Sequence, residues 1–363
     1  MYHSNFVTVE RDKLTYLKES WQGKHILITG VCGTVGRELL RQAVALGPGE
    51  VIGIDNNESE LFFLDEDYRD YGNVYLYLGD IRDRDKMIRK MHGVDIVLHA
   101  AALKHVILCE RTPRDAVQTN ILGTQNVIDA AQINSVQRVL FTSSDKAVNP
   151  SNVMGTSKLM GERLMTAANA HRRGKGPVFA STRFGNVLGS RGSVIPLFKR
   201  QIAAGGPVTL TDPNMTRFIM TLEAAVHLVL ESVFMAKGGE VFVTKMPIAR
   251  IRDLAEVMIE ELAPSYGLRP EAIELKIVGS KPGEKLYEEL MNEEETRRTI
   301  ELERYFVVAP AFRSVYEEID YCYDGSAGMG VSCPYNSSVE PSMTKEKLRT
   351  YLREKNLLTE KAE

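Results

Sequence analysis

Thr142-Ser143-Ser144-Asp145-Lys146-Ala147-Val148-Asn149-Pro150-Ser151-Asn152-Val153-Met154-Gly155-Thr156-Ser157-Lys158 is the stretch from which the rest of the chain is read. The β-branched and aromatic run Arg138-Val139-Leu140-Phe141-Thr142 leads into it and predicts a buried strand. Ser143-Ser144-Asp145-Lys146 then falls where that strand ends, at the carboxyl edge of an open α/β sheet, where ligands bind. Asn149-Pro150-Ser151-Asn152 is turn chemistry, and a helical pattern starts near Met154 with Lys158 one turn on, on the same face. A hydroxyl, a carboxylate and two amines thus converge on one crevice. Taken singly, Asp145-Lys146 reads as a solvated ion pair, Met154 as core filler and Lys158 as a surface residue. Their company makes them a catalytic constellation, provided a cofactor lies beside them.

Working outward, His25-Ile26-Leu27-Ile28-Thr29 is a continuous apolar strand of the kind buried on both faces. Gly30-Val31-Cys32-Gly33-Thr34-Val35-Gly36 follows and opens a helix from Arg37. Glycines three apart between strand and helix also occur as caps or bulges. Here the context at both ends fits a tight turn that brings backbone close to a pyrophosphate at the helix N-terminus. The next strand, Glu50 to Ile54, ends at Asp55, where an acidic side chain grips the ribose hydroxyls of NAD. Asn56-Asn57-Glu58-Ser59-Glu60 adds carboxylates and no arginine, so NAD is favoured over NADP.

Val74 to Leu78 is a third strand leading to Gly79-Asp80-Ile81, a polar and apolar pair that suits an adenine or a plain strand exit. Asp95 to His99 is a fourth, running into Ala100-Ala101-Ala102-Leu103-Lys104-His105. Three alanines at a sheet edge leave room for a ligand to pass, with Lys104 and His105 at the lip. A helix from about Arg114 to Gln132 carries Asn120 among apolar neighbours, where its amide is expected to brace backbone. With a sixth strand at Val178 to Phe184, the alternation predicts one doubly wound parallel sheet with right-handed crossovers.

Past Gly185, short elements punctuated by Gly, Pro and Arg predict a smaller substrate lobe interleaved with the sheet. Short runs such as Val241-Phe242-Val243 and Leu275 to Val278 return to it, and Lys281 to Lys285 reads as a polar turn before a helix at Leu286. The expected division is a docking segment over 1–22, a dinucleotide-binding domain over 23–185, the substrate lobe over 186–304 and an extension over 305–363. That extension carries Tyr316, Tyr321, Tyr323 and Tyr335 and closes in a helix from about Thr344.

The 363 residues hold 45 basic and 48 acidic side chains, for a net charge of −3, which points away from nucleic acid and membrane surfaces. Cys32, Cys109, Cys322 and Cys333 lack metal-ligand spacing and fit a reducing cytosol. Seven histidines form no metal motif, so no metal is expected. Met1 to Ser20 has no apolar core of a signal or anchor, and the expected location is cytoplasmic.

From about Gly23 to Leu290 the chain resembles the extended short-chain dehydrogenase/reductase superfamily, and within it the polysaccharide-biosynthesis nucleotide-sugar 4,6-dehydratases. The residues that carry this are Ala101 to Val106, the Ser144-Asp145-Lys146-Ala147 to Lys158 block, Arg183 to Ser190, Met215-Thr216-Arg217-Phe218 and Pro282-Gly283-Glu284-Lys285. One departure is Met154, where the superfamily usually has a tyrosine; a thioether moves no proton.

The resemblance implies a UDP-N-acetylglucosamine 4,6-dehydratase that serves bacterial surface-glycan or nonulosonic-acid synthesis. C-4 is oxidised, C-5 loses a proton, water leaves from C-6 and C-6 is reduced, with tightly bound NAD regenerated. It further implies Asp145 as the acid for the C-6 hydroxyl, Lys146 as the C-5 base and Ser144 as the relay for the C-4 proton. To act as a base, Lys146 is expected to have a depressed pKa. Lys158 is implied at the nicotinamide ribose, and Asn120 is counted among the cofactor-binding residues. Lys104, His105, Asn186, Arg217, Lys281 and Glu284 are implied at a UDP-linked amino sugar, with GDP also compatible. A homo-oligomer is the default for this architecture. The rivals are a sugar 4-epimerase, which wants tyrosine at 154 and no Asp-Lys pair, and a catalytically silent NAD-binding regulator.

Overall fold

A computed structural model of the chain describes residues 17–170, 176–189, 193–279, 284–312, 319–326 and 328–359. The apolar runs form the strands they predict. β1 (His25–Thr29), β2 (Glu50–Asp55), β3 (Val74–Leu78), β4 (Ile96–His99), β5 (Arg138–Thr142) and β6 (Val178–Arg183) make up most of one large sheet. After the short β7 (Asn186–Val187), β8 (Val208–Leu210) and β9 (Thr216–Met220), the strand β10 (Val241–Thr244) returns to it. Beyond β11 (Ile248–Arg250), β12 (Leu275–Ile277) and β13 (Glu289–Met291), it is completed by β14 (Thr299–Glu301) and β15 (Tyr305–Val308).

The nine-stranded order is β14-β15-β10-β6-β5-β4-β1-β2-β3. Pairs from β3 through β10 are parallel, while β15 and β14 join antiparallel. β1 pairs with both β2 and β4, so the strand order reverses there and the loops after β1 and β4 diverge to open a crevice. The sheet is the doubly wound parallel type expected. Central strands β1, β4, β5 and β6 are buried nearly end to end, the physical reason their sequences show no polar alternation.

A second apolar core runs from Leu188 through Ile251 and Leu262 to Leu348 and Leu352 of the helix Lys345–Glu354, which Thr344 caps as its position predicts. Of the amino-terminal docking segment, Phe6, Val7, Leu14 and Tyr16 lie outside the described residues. Leu17 and Trp21 are buried, and the Trp21 ring meets Phe234 edge-on at 5.1 Å.

Two local expectations are corrected. The helix expected at Leu286 is instead irregular chain leading into β13, which pairs with β16 (Tyr335–Asn336) of the carboxyl-terminal extension. Backbone groups that a helix would satisfy internally are satisfied across to that extension, where Ser337 N also donates to Glu288 O at 2.9 Å. The long helix is not uniform either. Val117–Leu122 is a π-helical turn between Pro113–Ala116 and Gly123–Ile133. No described helix is long and apolar enough to cross a membrane.

Candidate active site

The glycine turn is built as a cradle. Gly30 takes φ +73°, donates its N–H to Ile54 O at 2.8 Å, and faces the β4 loop so closely that an added Cβ would lie 2.7 Å from Ala101 Cα. A Cβ on Gly36 would sit 2.0 Å from Gly30 O. Only bare backbone allows strand, turn and helix Thr34–Ala45 to approach this way, with Gly33 as the N-cap. Thr34 and Val35, half-buried, open that helix, and Ala100, Ala101 and Ala102 face them half-exposed from the neighbouring loop. The arrangement fits a dinucleotide pyrophosphate.

Asp55 is half-buried, and its two oxygens accept from Cys32 N at 2.9 Å and Asn57 N at 3.0 Å, tying the glycine turn to the end of β2. Asn56 is exposed and donates to Asp80 at 3.3 Å. Arg82 chelates the same Asp80 carboxylate at 2.6 to 3.0 Å and holds its pKa below the usual range. An arginine from the loop after β3 thus does stand beside Asp80 and Asn56, and Asp80 pairs with it. Ile81 is buried against Gly123.

Asn120 braces backbone as expected. It lies in the π-helical turn, accepts from Leu103 N at 2.8 Å and donates to Leu103 O at 3.0 Å and Ser157 Oγ at 2.8 Å. Its amide is therefore spent on locking the Ala100–Leu103 loop to the helix Val153–Ala170.

Lys158 projects from that helix into the sheet. It is 7% exposed, its Nζ donates to Thr142 O at 2.9 Å, and it stands 4.7 Å over the Phe141 ring. Burial pulls its pKa down to about 8. His99, fully buried between Thr29 and Thr124, is kept neutral by burial and by the Lys158 charge, with its pKa pushed down to about 3. Met154 points elsewhere. It is 4% exposed in a small apolar cluster with Cys109 and Ala116.

At the end of β5 the chain makes a single 3-10 turn, Asp145–Ala147. Ser144 Oγ donates to Asp145 Oδ1 at 2.7 Å, and Lys146 Nζ reaches both Asp145 oxygens at 2.9 and 3.1 Å. Asp145 is buried, whereas the Lys146 side chain is 34% exposed. Asp145 and Lys146 line a cavity of about 760 Å³, ample for a sugar nucleotide, whereas Ser144 is not among the lining residues. His105, Asn186, Arg217 and Glu284 line it too. Lys104 is exposed on the segment beside His105, and Lys281 lies outside the described residues.

Glu288, not singled out by the sequence, lines the cavity beside Lys146. It is buried, accepts from Asn186 Nδ2 at 3.0 Å and Phe218 N at 3.3 Å, and lies 3.3 Å from Arg217 Nε and 3.9 Å from Lys146 Nζ. Desolvation and the Asp145 charge push its pKa up to about 8. Nothing local distinguishes it from Glu284 or Glu289; only the approach of β13 to the Asp145 turn selects it.

Glu288 also overturns the depressed pKa expected of Lys146. Burial alone lowers it, but Asp145 and Glu288 outweigh that and the net shift is upward. The charges that decide are carboxylates, one of them from a distant segment. Arg217 is likewise committed beyond the cavity, donating to the carbonyls of Thr216, Lys285 and Leu286 at 2.8 to 3.1 Å. Lys285 Nζ in turn holds Val148 O and Asn149 O, pinning the turn after Asp145–Ala147. Among the described residues no group of three or more His, Cys, Asp or Glu could hold a metal ion.

Residues 26–310 match the family model described as polysaccharide biosynthesis protein. The chain belongs to that family. A Methanocaldococcus jannaschii protein named an uncharacterized membrane protein is 48% identical over 92% of this chain and 96% of its own. A Campylobacter jejuni protein named UDP-N-acetylglucosamine 4,6-dehydratase (inverting) is 37% identical over 90% of this chain and 96% of its own. Three Rickettsia proteins named UDP-glucose 4-epimerase match at 37% to 39% identity, over 78% to 91% of this chain and 82% to 95% of theirs. Among solved structures, Pen from Bacillus thuringiensis superposes with a TM-score of 0.86 at 42% identity, covering 93% of this chain and 99% of that one. The resemblance to nucleotide-sugar dehydratases is upheld, and the chain is a nucleotide-sugar enzyme of the extended short-chain dehydrogenase type.

Proposed function

We propose that the protein is a UDP-N-acetylglucosamine 4,6-dehydratase using NAD. The observation that carries this reading is the Asp145-Lys146 pair on the cavity wall, hydrogen-bonded to Ser144, with no tyrosine among the described lining residues. Gly30, Gly33, Thr34, Val35 and Gly36 would hold the pyrophosphate, Asp55 and Asn56 the adenosine ribose, and Asp80 and Ile81 the adenine. Ala100 to Ala102 would leave room for the dinucleotide to pass. Lys158 would hold the nicotinamide ribose, with Asn120 keeping the wall behind it in place. A nicotinamide dinucleotide bound there supplies the hydride acceptor for C-4 and the donor for C-6.

The chain's own groups handle the protons. Ser144, already donating to Asp145 Oδ1, passes the C-4 hydroxyl proton to that carboxylate. Asp145, once protonated, gives a proton to the departing C-6 hydroxyl, and Lys146 takes and returns the C-5 proton. Asn186, Arg217 and Glu284 line the cavity where the diphosphate and sugar would lie, with Lys104 and His105 at its lip. Lys281, from outside the described residues, is assigned to the same set.

The names of the Rickettsia relatives favour a 4-epimerase as the second reading. It has no use for an Asp145-Lys146 pair, since no group leaves C-6. Incubating the purified protein with UDP-N-acetylglucosamine in D₂O without added cofactor separates the readings by mass and NMR. A dehydratase loses one water and gains deuterium at C-5. An epimerase changes C-4 alone, and a silent binding protein changes nothing. Either of the last two results sinks the proposal, provided added NAD does not alter it.

A further inference from the structure

Arg183 ends β6 with 1% of its surface exposed, and neither the glycine turn nor the proton chemistry uses it. All five N–H donors of its guanidinium are taken. Nε and Nη2 donate to the two oxygens of Glu162 at 2.8 and 2.7 Å. Nη1 and Nη2 donate to the two oxygens of Glu295 at 2.8 and 2.9 Å, and Nη1 also reaches Leu290 O at 3.1 Å. Glu162 and Glu295 are each 2% exposed. Asn292 N adds a donor to Glu295 at 3.1 Å, and Arg298, 3.8 Å from Glu295, brings a second positive charge to balance the two carboxylates.

Each element joined at this guanidinium carries part of the site. Glu162 lies one turn after Lys158 on the helix Val153–Ala170. β6 runs on to Asn186, which lines the cavity. Leu290 and Glu295 belong to β13 and to the short helix Glu293–Thr296, just beyond Lys285, Glu288 and Glu289 on the cavity wall. β13 has three residues and its strand partner β16 has two, so the sheet gives this wall a small hold. Stability does not account for the cluster. Desolvating a guanidinium and two carboxylates offsets most of their attraction, and an apolar cluster of the same volume is often as stable. Apolar side chains lack direction, whereas a planar fork with two bidentate partners fixes angle as well as distance.

We propose that Arg183 is a positioning residue. Through Glu162 and Glu295 it fixes the cavity wall at 284–289 against the helix that carries Lys158, and so seats the sugar between the cofactor side and the proton-transfer groups. The effect on turnover rests on the dehydratase reading; the placement of the wall does not. Misplacing a reacting group by about 1 Å can slow a reaction about 10²-fold. The glycine turn at Gly30 to Gly36 is built by β1, β2 and the β4 loop and shares no hydrogen bond with Arg183. Loss of the cluster should therefore spare the dinucleotide cradle and spoil the seat.

The test replaces the whole cluster, because losing one member strands a buried charge. In R183M/E162M/E295M none of the three is stranded, and Arg298 keeps Glu294 at 2.9 Å. This variant should unfold in urea at or above the wild-type midpoint and retain bound dinucleotide after purification. Its kcat with UDP-N-acetylglucosamine should fall about 10²-fold, and its calorimetric Kd for UDP should rise about tenfold. R183K keeps the charge without the fork and should lose kcat to a similar extent. A triple variant with kcat within about threefold of wild type overturns the proposal. So does one that does not fold, because the cluster then upholds the fold and not the seat. Loss of dinucleotide overturns it too, since the damage then reaches the glycine turn. R183K with wild-type kcat overturns it as well, because charge without direction would suffice. If the wild type leaves the sugar unchanged, the dehydratase reading fails on its own. The Kd for UDP then decides the placement of the wall, and a value within about threefold of wild type in the triple variant overturns it.

Discussion

Lys146 Nζ lies 2.9 Å from Asp145 Oδ2, an ion pair between consecutive residues on one wall of the cavity. In the proposed mechanism this amine is the C-5 base, so K146M should lower kcat by about 10²- to 10⁴-fold with little change in KM. Deuterium uptake at C-5 should fall in parallel. A K146M enzyme within tenfold of wild type would take Lys146 out of the proton chemistry.

Met154 is packed against Cys109 and Ala116, away from the cavity lining. Restoring a tyrosine there should overfill the cluster, costing about 1–3 kcal/mol of stability, and should not raise the rate. Thermal melting and kcat of M154Y check both halves. A faster M154Y enzyme would show that this position reaches the sugar.

Lys158 is charged and buried without a carboxylate in contact. Its folded pKa, about 8, lies below the ordinary 10.5, so the folded state binds the proton less tightly than the unfolded one. Stability is therefore penalised at neutral pH and recovers as pH rises from 8 towards 10.5. K158M should be more stable than wild type at pH 7 by about 2 kcal/mol, allowing for the lost bond to Thr142 O. That advantage should shrink by pH 10 in urea unfolding, and the variant should be inactive. Equal stability at both pH values would contradict the burial cost.

Gly36 has no room for a methyl group, because a Cβ would lie 2.0 Å from Gly30 O and 2.8 Å from Val31 Cα. G36A should push the helix Thr34–Ala45 off the turn and lose bound dinucleotide, read as cofactor content after purification. By contrast, G72A meets nothing within 4 Å and should retain it. Equal cofactor content in the two variants would separate the glycine turn from dinucleotide binding.

The parallel sheet, the glycine turn, Asp55 and the Ser144-Asp145-Lys146 cluster are written locally. A strand buried on both faces must be continuously apolar, and a backbone pressed against a neighbouring loop must be glycine. Both demands leave marks within a few consecutive residues, which a single chain displays without its partners. The π-helical turn at Asn120 left no such mark, nor did the pairing of β13 with the extension that replaced an expected helix at Leu286 with irregular chain leading into a strand.

Tertiary structure alone decided the protonation of the site. The sequence supplied Lys146 and its neighbour Asp145, but the upward shift of Lys146 also depends on Glu288. Glu288 reaches it only because β13 is held by Tyr335–Asn336 and Ser337. Arg217 was legible as a cation, yet its guanidinium is largely spent on the carbonyls of Lys285, Leu286 and Thr216. Burial and backbone geometry follow from residue type and near neighbours. The field at a buried charge is a sum over every group within a few ångströms, and distance in space is what sequence order does not record.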